Sequence, residues 1–516
     1  MRVQSVVAVG LPLLISAILL FLFRDYRTDD TYIYLQFARN LAEGGGFSFV
    51  SGEPTFGATS WLWTILLSAG VRLGLTPFLA AKLCGLLAAL GAILAVHACA
   101  RLLFRSERTA VFAASAWALQ AWNVRWSFSG LETPLMVLFL VLSWHWTILE
   151  DREGRRPWRS GIGWALATLV RPEAIGLLIL AGFRKLWLVT SCRRARPLDL
   201  LFLLLPSFLA VGTVAIWAIQ TFGNPLPNSI VAKNIGGGWS ATWAIFLFGS
   251  KIILATDVIC LAWLLFALAF WGIGRKRGGG RAALDSFISS EWFVPGVWSV
   301  VVFLLYALTH SVIVSRYLVP GSLVVLLGGL AAAETWDARR NSEGGAPEIS
   351  PRRLRHLVPA TFLLFAAQNL IVLFLVILPH TREFPRDLDR SIGSIAGWLR
   401  ENTPAGTTVG AIDIGLLAYE SERVVVDLYG LVNPEFVPLR RNLHIKDFVR
   451  QFGFAPLAHP DYLVDRQLEP NRLMGEVYPD VRLEPILHRE VKALGIRRSS
   501  RYVFTLYRLH WDDVAS

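Results

Sequence analysis

Apolar stretches of about 20 residues recur along the first three quarters of the chain, and they restrict its fold more than any other feature. A helix of that length crosses the ~30 Å hydrocarbon core of a bilayer. Hydrophobic residues make up 54% of the 516 residues, whereas a soluble domain has about 45–50% with glycine included. The sequence therefore predicts a polytopic α-helical membrane protein. The first stretch lacks a small-residue cleavage site and other spans follow it, so it is interpreted as an anchor and not as a signal peptide.

Five clusters of Lys and Arg lie between the apolar stretches, at 101–108, 152–159, 184–196, 275–281 and 339–355. Short loops rich in Lys and Arg mark the cytoplasmic side of a membrane protein. The clusters account for the net charge of +12, so we exclude a nucleic-acid partner. They predict a multi-pass protein of the plasma or inner membrane with a cytoplasmic N-terminus. The loop 24–60 and all residues after 379 are then outside.

The basic clusters also set the number of membrane helices, which we predict to be about eleven. Two short helices are expected in 161–189, because basic clusters flank both ends of that segment. They turn at Arg171-Pro172-Glu173, since a residue before proline avoids the α conformation. The segment around Trp61 and Trp63 is predicted to be an interfacial helix. The other spans are predicted near 3–23, 78–101, 109–127, 131–149, 199–221, 243–272, 292–309, 316–334 and 356–378.

Residues 380–516 have a different character, with alternating polar and apolar residues and no long apolar run. Four segments are rich in residues that favour strands, namely "TTVGAIDIG", "ERVVVDLYG", "PDYLVDR" and "SRYVFTLYRL". Helical stretches such as 388–400 lie between them. The pattern predicts a small extracytoplasmic α/β domain. All four cysteines precede this domain, and the chain contains no zinc-binding spacing, Walker loop or GxGxxG fingerprint.

Two adjacent acids, Asp29 and Asp30, follow the first apolar stretch directly. The next residues place Tyr34, Phe37, Ala38 and Leu41 on one side of a helix that ends at Gly44, which indicates an amphipathic helix along the outer membrane surface. One acid would suffice to cap that helix, and two adjacent carboxylates repel each other. The pair therefore caps the helix or carries out chemistry.

The chain resembles the polyprenyl-phosphate-dependent GT-C glycosyltransferases, and within them the mycobacterial terminal arabinofuranosyltransferase group and its bacterial relatives. The similarity begins with "DDTYIYLQFARNLAEGGGFSFVSGEPTFGATSWLW" and is spread in order over nearly the whole chain. It departs from the family pattern at Ser229, where the family has Thr, and at Phe56-Gly57-Ala58. The further matching segments are "SGLETPL" at 129–135, "LVRPEA" at 169–174, "FGNPLPNSIVAK" at 222–233, "SRYLVP" at 315–320 and "DIGLLAYESERVVVDLYGLVNPE" at 413–435.

The resemblance implies a GT-C fold in which 1–379 form the catalytic membrane domain. It implies transfer of one sugar, arabinofuranose as the best guess, from a polyprenyl-phosphate donor to a glycan or lipid acceptor of the cell envelope. By match to the family motif, Asp30 is the general base of an inverting reaction. Asp29 orients the acceptor or shares a divalent cation with Asp30 and His310, and the roles of the two acids are interchangeable at this stage. The resemblance leaves the need for a metal open and implies a monomer.

Two cations, Lys233 and Arg316, fall at the predicted outer surface, against the usual distribution of positive charge. A lipid phosphate explains them, and snorkelling of long side chains is the alternative.

Five more residues are active-site candidates with structural alternatives. Glu132 lies at the outer end of a span, and ionisable groups at membrane depth are often functional. His310 is a candidate active-site residue or metal ligand, and a packing role is its alternative. Asn228 is a site residue or a turn former. Arg171 and Glu173 belong to the active site or form a structural ion pair.

Other classes of membrane protein share the composition. A flippase or exporter of lipid-linked glycans would have many spans, but it should show repeat symmetry and would not need an outer acid pair. A glycan polymerase or ligase is a further alternative. Replacing Asp30 by Asn separates the classes, because a flippase should tolerate that change.

Overall fold

The computed structural model describes residues 3–232, 239–275, 280–311, 313–342, 356–440, 443–468, 470–475, 478, 480–491 and 502–511. Within these ranges the helices are α1 Val3–Leu22, α2 Asp29–Glu43, α3 Trp61–Arg72, α4 Pro77–Leu103, α5 Glu107–Leu119, α6 Ala121–Ser127, α7 Thr133–Glu153, α8 Trp158–Val170, α9 Ile175–Thr190, α10 Pro197–Phe222, α11 Asn228–Ala232, α12 Trp239–Arg275, α13 Gly280–Ser289, α14 Phe293–Leu308, α15 Ser315–Ser342, α16 Leu357–Val372, α17 Leu378–Leu388, α18 Ser394–Asn402, α19 Gly415–Ser421, α20 Phe436–Arg440 and α21 Ile445–Arg450. The strands are β1 Thr408–Ala411, β2 Val424–Asp427, β3 Tyr462–Gln467, β4 Val481–Val491 and β5 Tyr502–Trp511.

Six helices of the described ranges are long and apolar enough to cross a membrane. They are Pro77–Leu103, Thr133–Glu153, Pro197–Phe222, Trp239–Ala269, Ser315–Ala338 and Leu357–Asn402. The pair α13 and α14, bent by 91°, makes a seventh if it forms one span. Together with the C-terminal sheet, these helices confirm the predicted polytopic membrane protein, while the total of about eleven and the orientation stay predictions.

The predicted turn at Arg171-Pro172-Glu173 separates α8 from α9. Arg171 has extended backbone angles, φ −145° and ψ 119°, because the following proline disfavours the α conformation. A single 3₁₀ turn at Pro172–Ala174 then leads into α9. Arg171 and Glu173 both lie at this break. A continuous helix would direct the two side chains differently.

The span predicted at 109–127 is not one helix. It consists of α5 and α6, separated by Gln120 with φ −61° and ψ 118°. The side chain of Gln120 accepts from the amide of Asn123 at 2.6 Å, and the Asn369 side chain accepts from the amide of Ala121 at 2.8 Å. Buried polar side chains thus replace the helical hydrogen bonds that the break removes.

The amphipathic helix that follows the acids is α2, and it ends at Gly44 as predicted, with φ 92°. Its N-cap is Thr28, whose amide donates to the Thr31 hydroxyl at 3.1 Å, so neither acid caps it. The helix is buried over most of its circumference, packed against α3, α4 and α19, and it therefore does not lie exposed along a membrane surface. Trp63 of α3 is also fully buried, so its side chain does not contact lipid headgroups, while the interfacial position of α3 stays a prediction.

The C-terminal region, here called the sheet domain, has one five-stranded sheet in the order β2-β1-β3-β5-β4. The first three strands are parallel, and β3, β5 and β4 are antiparallel. Strand β4 was missing from the prediction because Pro485 interrupts its pattern. Proline is tolerated there because β4 is an edge strand with a shift in register at Pro485/Leu487.

The chain enters the sheet domain along a continuous helix, Leu357–Asn402, which contains α16, α17 and α18. π-helical turns at Leu373–Ile377 and Asp389–Gly393 join its parts. The helix passes the predicted domain boundary at 379/380 without a break. One apolar core continues from the bundle to the near face of the sheet, where Val409 and Leu417 are buried, and a second cluster with Phe448 and Phe454 covers the far face.

Candidate active site

A cavity of about 480 Å³ lies where the membrane helices meet the sheet domain. Five charged side chains line it, and all five were candidates from the sequence. Asp30 comes from α2, Glu132 from the turn before α7, Arg171 and Glu173 from the break between α8 and α9, and Arg316 from α15. Elements that are far apart in sequence therefore bring the charges together, and these five residues are here called the site cluster.

Each arginine of the site cluster holds a carboxylate. Arg316 donates through Nη2 to Asp30 Oδ2 at 2.5 Å. Arg171 donates through Nε to Glu173 Oε1 at 2.7 Å, and its Nη1 lies 3.8 Å from Glu132 Oε1. The exposed fraction of the Asp30 side chain is 43%, against 25% for Glu173 and 6% for Glu132. Asp30 is therefore the carboxylate that an incoming molecule reaches most easily.

Two tyrosine side chains contact the charged groups of the site cluster. The ring of Tyr317 lies under both guanidinium groups, 4.7 Å from Arg171 Cζ and 5.0 Å from Arg316 Cζ. It stacks on Tyr306 with a centroid separation of 5.1 Å, and the Tyr306 hydroxyl donates to Glu173 Oε1 at 3.0 Å. Sequence reasoning missed both rings, although Tyr317 is part of the quoted "SRYLVP" segment.

The site cluster is incompletely paired within the described part of the chain. Arg171 Nη1, Arg316 Nε and Glu132 Oε2 are buried and have no hydrogen-bond partner there. Buried charged groups normally have such partners because an unmet bond in a low-dielectric site is costly. Two unused guanidinium N–H groups beside a cavity fit an anionic ligand.

Another part of the cavity lining is apolar. It is formed by Val211, Val214 and Ala215 of α10 with Val302 and Leu305 of α14. The outward face of α10 is exposed along much of its length; Phe208, for example, is 77% exposed. The lining of the cavity therefore combines the charged site cluster with apolar side chains of two helices.

Asp29 does not share the cavity with Asp30. Its Oδ2 accepts from the Gly415 amide at 3.0 Å, and its Oδ1 accepts from the Leu416 amide at 2.8 Å. Burial raises the pKa of Asp29 to about 7, and the neighbouring Asp413 carboxyl adds to the rise, although the two amides favour the ionised form. The two adjacent acids thus have different surroundings: Asp29 contacts the sheet domain, and Asp30 lines the cavity.

The remaining candidates have other partners. His310 Nε2 is 2.9 Å from the Thr242 hydroxyl, and the Asn228 side chain donates to Leu431 O at 3.3 Å. Neither residue is among those that line the cavity. Lys233 lies outside the described residues. In the ranges that the structure covers, no three His, Cys, Asp or Glu side chains form a metal ligand set, so the proposed grouping of Asp29, Asp30 and His310 is not assembled.

Comparison with known proteins identifies the fold class of the chain. Residues 383–507 match a family described as a domain of unknown function, DUF8728. No curated protein matches the chain. ArnT from Cupriavidus metallidurans bound to undecaprenyl phosphate is similar with a TM-score of 0.56 and 13% identity, over 98% of each chain. The fold is therefore of the GT-C type.

A second protein of this fold is the archaeal oligosaccharyltransferase AglB from Archaeoglobus fulgidus in complex with an inhibitory peptide and a dolichol-phosphate. Its TM-score is 0.55 at 14% identity, over 90% of this chain and 69% of that chain. The mycobacterial arabinofuranosyltransferase AftD gives a TM-score of 0.46 at 15% identity, over 98% of this chain and 41% of that chain. That value is too low to support membership of the arabinofuranosyltransferase group.

Proposed function

We propose that the chain is a membrane glycosyltransferase that moves one sugar from a polyprenyl-phosphate donor to a glycan or lipid acceptor. The supporting observation is the composition of one cavity, in which an accessible carboxylate, two buried guanidinium groups and an apolar wall meet. A lipid phosphate has the same division into an anionic head and an apolar chain. The two similar proteins were solved with undecaprenyl phosphate and with dolichol-phosphate.

Asp30 is the general base in this proposal. The acceptor hydroxyl oxygen attacks the anomeric carbon, and the bond from that carbon to the lipid-phosphate oxygen breaks with its electron pair going to the phosphate. The proton of the hydroxyl passes to the Asp30 carboxylate. One displacement inverts the anomeric configuration. Asp30 suits this role because it is the most exposed carboxylate of the site cluster.

Arg316 and Arg171 stabilise the leaving phosphate. A guanidinium can hold two phosphate oxygens in parallel, and preorganised charge of this kind is often the largest contribution to catalysis. Arg316 can use its unpaired Nε for the phosphate while Nη2 keeps Asp30 in place. Lys233, proposed from the sequence as a second phosphate ligand, stays a prediction, and Arg171 takes that position among the described residues.

The sugar, the acceptor and the side of the membrane are finer parts of the proposal. Arabinofuranose comes from the resemblance of the sequence motifs, and a cell-envelope acceptor comes with it. The outer face as the location of the cavity and the sheet domain is supported by the basic clusters at the ends of the predicted spans.

The test is transfer of labelled arabinofuranose from its polyprenyl-phosphate donor to membrane glycolipids by the purified full chain. We expect Asp30→Asn to lower turnover about 10²–10⁴-fold, the usual effect of losing a general base. Asp25→Asn is the matched control, because that acid lies on the same loop with a side chain that is 80% exposed. Equal turnover in the two variants, with polyprenyl phosphate bound by both, would contradict the proposal.

A further inference from the structure

We propose that the sheet domain positions the acid loop, which is the segment 24–60 that contains α2 with Asp29 and Asp30, and that Asp29 is a positioning residue and not a second base. The inference rests on the proposed function, in which Asp30 accepts the proton. It assigns a role to the region that matches a family of unknown function.

The main contact joins residues that are 386 and 387 positions apart in the chain. Both carboxylate oxygens of Asp29 accept backbone amides of the sheet domain, one from Gly415 and one from Leu416. The backbone carbonyl of Asp29 also touches this turn, because a Cβ on Gly415 would lie 2.1 Å from that oxygen. Only a residue without a side chain permits this approach.

The loop that carries Asp30 is fixed on both sides of that residue. On one side, Asp29 binds the sheet domain. On the other side, the Thr31 hydroxyl donates to Ser129 O at 2.9 Å, in the turn that leads to Glu132. Asp30 lies between these two attachments and is directed toward Arg316. A shift of the loop would therefore move the proposed base relative to the arginine that holds the leaving group.

Further contacts of the same region support this arrangement. The Arg27 guanidinium donates to both oxygens of Asp389, at 2.8 and 2.6 Å. The Thr55 hydroxyl donates to Val432 O at 2.9 Å. The sheet domain thus holds the start and the end of the loop 24–60 as well as Asp29.

The chemistry of Asp29 agrees with positioning. Both of its oxygens already accept hydrogen bonds, and it is directed away from the cavity that Arg316 lines. A general base needs an oxygen within hydrogen-bond reach of the acceptor hydroxyl, and in this arrangement Asp30 is the acid that provides one.

The experiment replaces Gly415 by Ala and uses Gly397→Ala as its control. A Cβ at Gly397 meets nothing within 4 Å, and it lies on α18 close to the same domain. Alanine favours a helix over glycine, so an ordinary helical glycine does not lose stability from the change. Three quantities are measured on the full chain: sugar transfer, binding of polyprenyl phosphate, and hydrogen exchange of the segments 24–36 and 413–421.

We expect Gly415→Ala to lower kcat about tenfold to a hundredfold, because displacements near 1 Å can cost that much. Hydrogen exchange in both segments should rise, and binding of polyprenyl phosphate should stay unchanged. Gly397→Ala should match the wild type in all three. A second variant, Asp29→Ala, removes the acceptor without a clash and should raise exchange of the same two segments.

The outcomes separate this inference from the proposed function. If Asp30→Asn abolishes transfer while Gly415→Ala keeps wild-type kcat and exchange, the positioning role is wrong and the base assignment stands. If Asp30→Asn transfers normally, the proposed function fails, and raised exchange in Gly415→Ala would still show that the domain holds the loop. Loss of kcat together with raised exchange of both segments in Gly415→Ala, with polyprenyl phosphate still bound, supports positioning of the loop by the sheet domain.

Discussion

Two groups of buried basic side chains lie at opposite ends of α7, roughly 30 Å apart at a rise of about 1.5 Å per residue. The site cluster is at one end. At the other end, Asp151 binds Arg184 and Lys185, and these three residues are here called the distal cluster. Arg184, Lys185 and both site arginines are all about 5–6% exposed.

The two clusters differ in how completely their donors are paired. In the distal cluster, Arg184 Nε and Nη2 donate to Ser290 O and Ser289 O, and its Nη1 and Lys185 Nζ donate to Asp151 at 2.6 Å. The void beside it is about 10 Å³, at most room for one water. The site cluster has unpaired donors and a cavity of about 480 Å³. Burial of charge alone therefore does not mark a site, whereas unpaired donors beside a cavity do.

The largest expected effect is on stability in the distal cluster. Asp151→Asn would leave two buried cations without their anion, and breaking a buried ion pair costs about 3–5 kcal/mol. Thermal unfolding in detergent should show a marked loss of stability, while the folded fraction keeps its turnover. A wild-type melting temperature in Asp151→Asn would mean that the ion pairs of the distal cluster do not stabilise the fold.

Replacing an arginine by lysine should affect sugar transfer in the site cluster and stability in the distal cluster. Arg316→Lys keeps a charge near Asp30 but loses the planar fork, so sugar transfer should fall about tenfold to a hundredfold, the equivalent of one charge-assisted hydrogen bond of 1.5–3 kcal/mol. Its melting temperature should change little. Arg184→Lys should do the reverse, because two carbonyls lose their donors. The comparison breaks down if Arg184→Lys reduces turnover and Arg316→Lys does not.

The smallest effect concerns Glu132. Its Oε2 has no partner within the described ranges and its Oε1 is 3.8 Å from Arg171. Glu132→Gln therefore removes a charge that competes with phosphate for Arg171 without breaking a short hydrogen bond of the carboxylate. We expect polyprenyl phosphate to bind a few-fold more tightly and stability to be unchanged, as measured by titration and melting. Weaker binding would indicate that Glu132 contacts the ligand directly.

The sequence identified the members of the site cluster but not their arrangement. Asp30 and Arg316 are 286 positions apart, and no local pattern indicates that they touch. Asp29 was interpreted as the partner of Asp30 because the two are adjacent, whereas its partners are amides of a distant turn. Tyr306 and Tyr317 carry no signal that distinguishes them from other aromatic residues near the ends of spans.

The errors in the fold have similar physical causes. Apolar periodicity located most of the long spans, but it does not reveal a break such as Gln120, where buried side chains of other helices supply the lost hydrogen bonds. It also placed the end of the last span at 378, where the apolar run ends. The helix continues to Asn402 because its later turns bury one face against the sheet domain.

That continuous helix fixes the rotational phase between bundle and sheet domain. Each residue of an α-helix adds about 100° and 1.5 Å, so inserting one residue between the last membrane turn and Asn402 would turn the sheet domain by about a quarter of a circle. Gly415 would then be carried away from Asp29. An insertion of seven residues, about two full turns, would restore the rotation but would still move the sheet domain by about 10 Å along the helix axis, so it would also break the contact between Gly415 and Asp29. The number of residues in the helix is thus itself under constraint, independently of which side chains it carries.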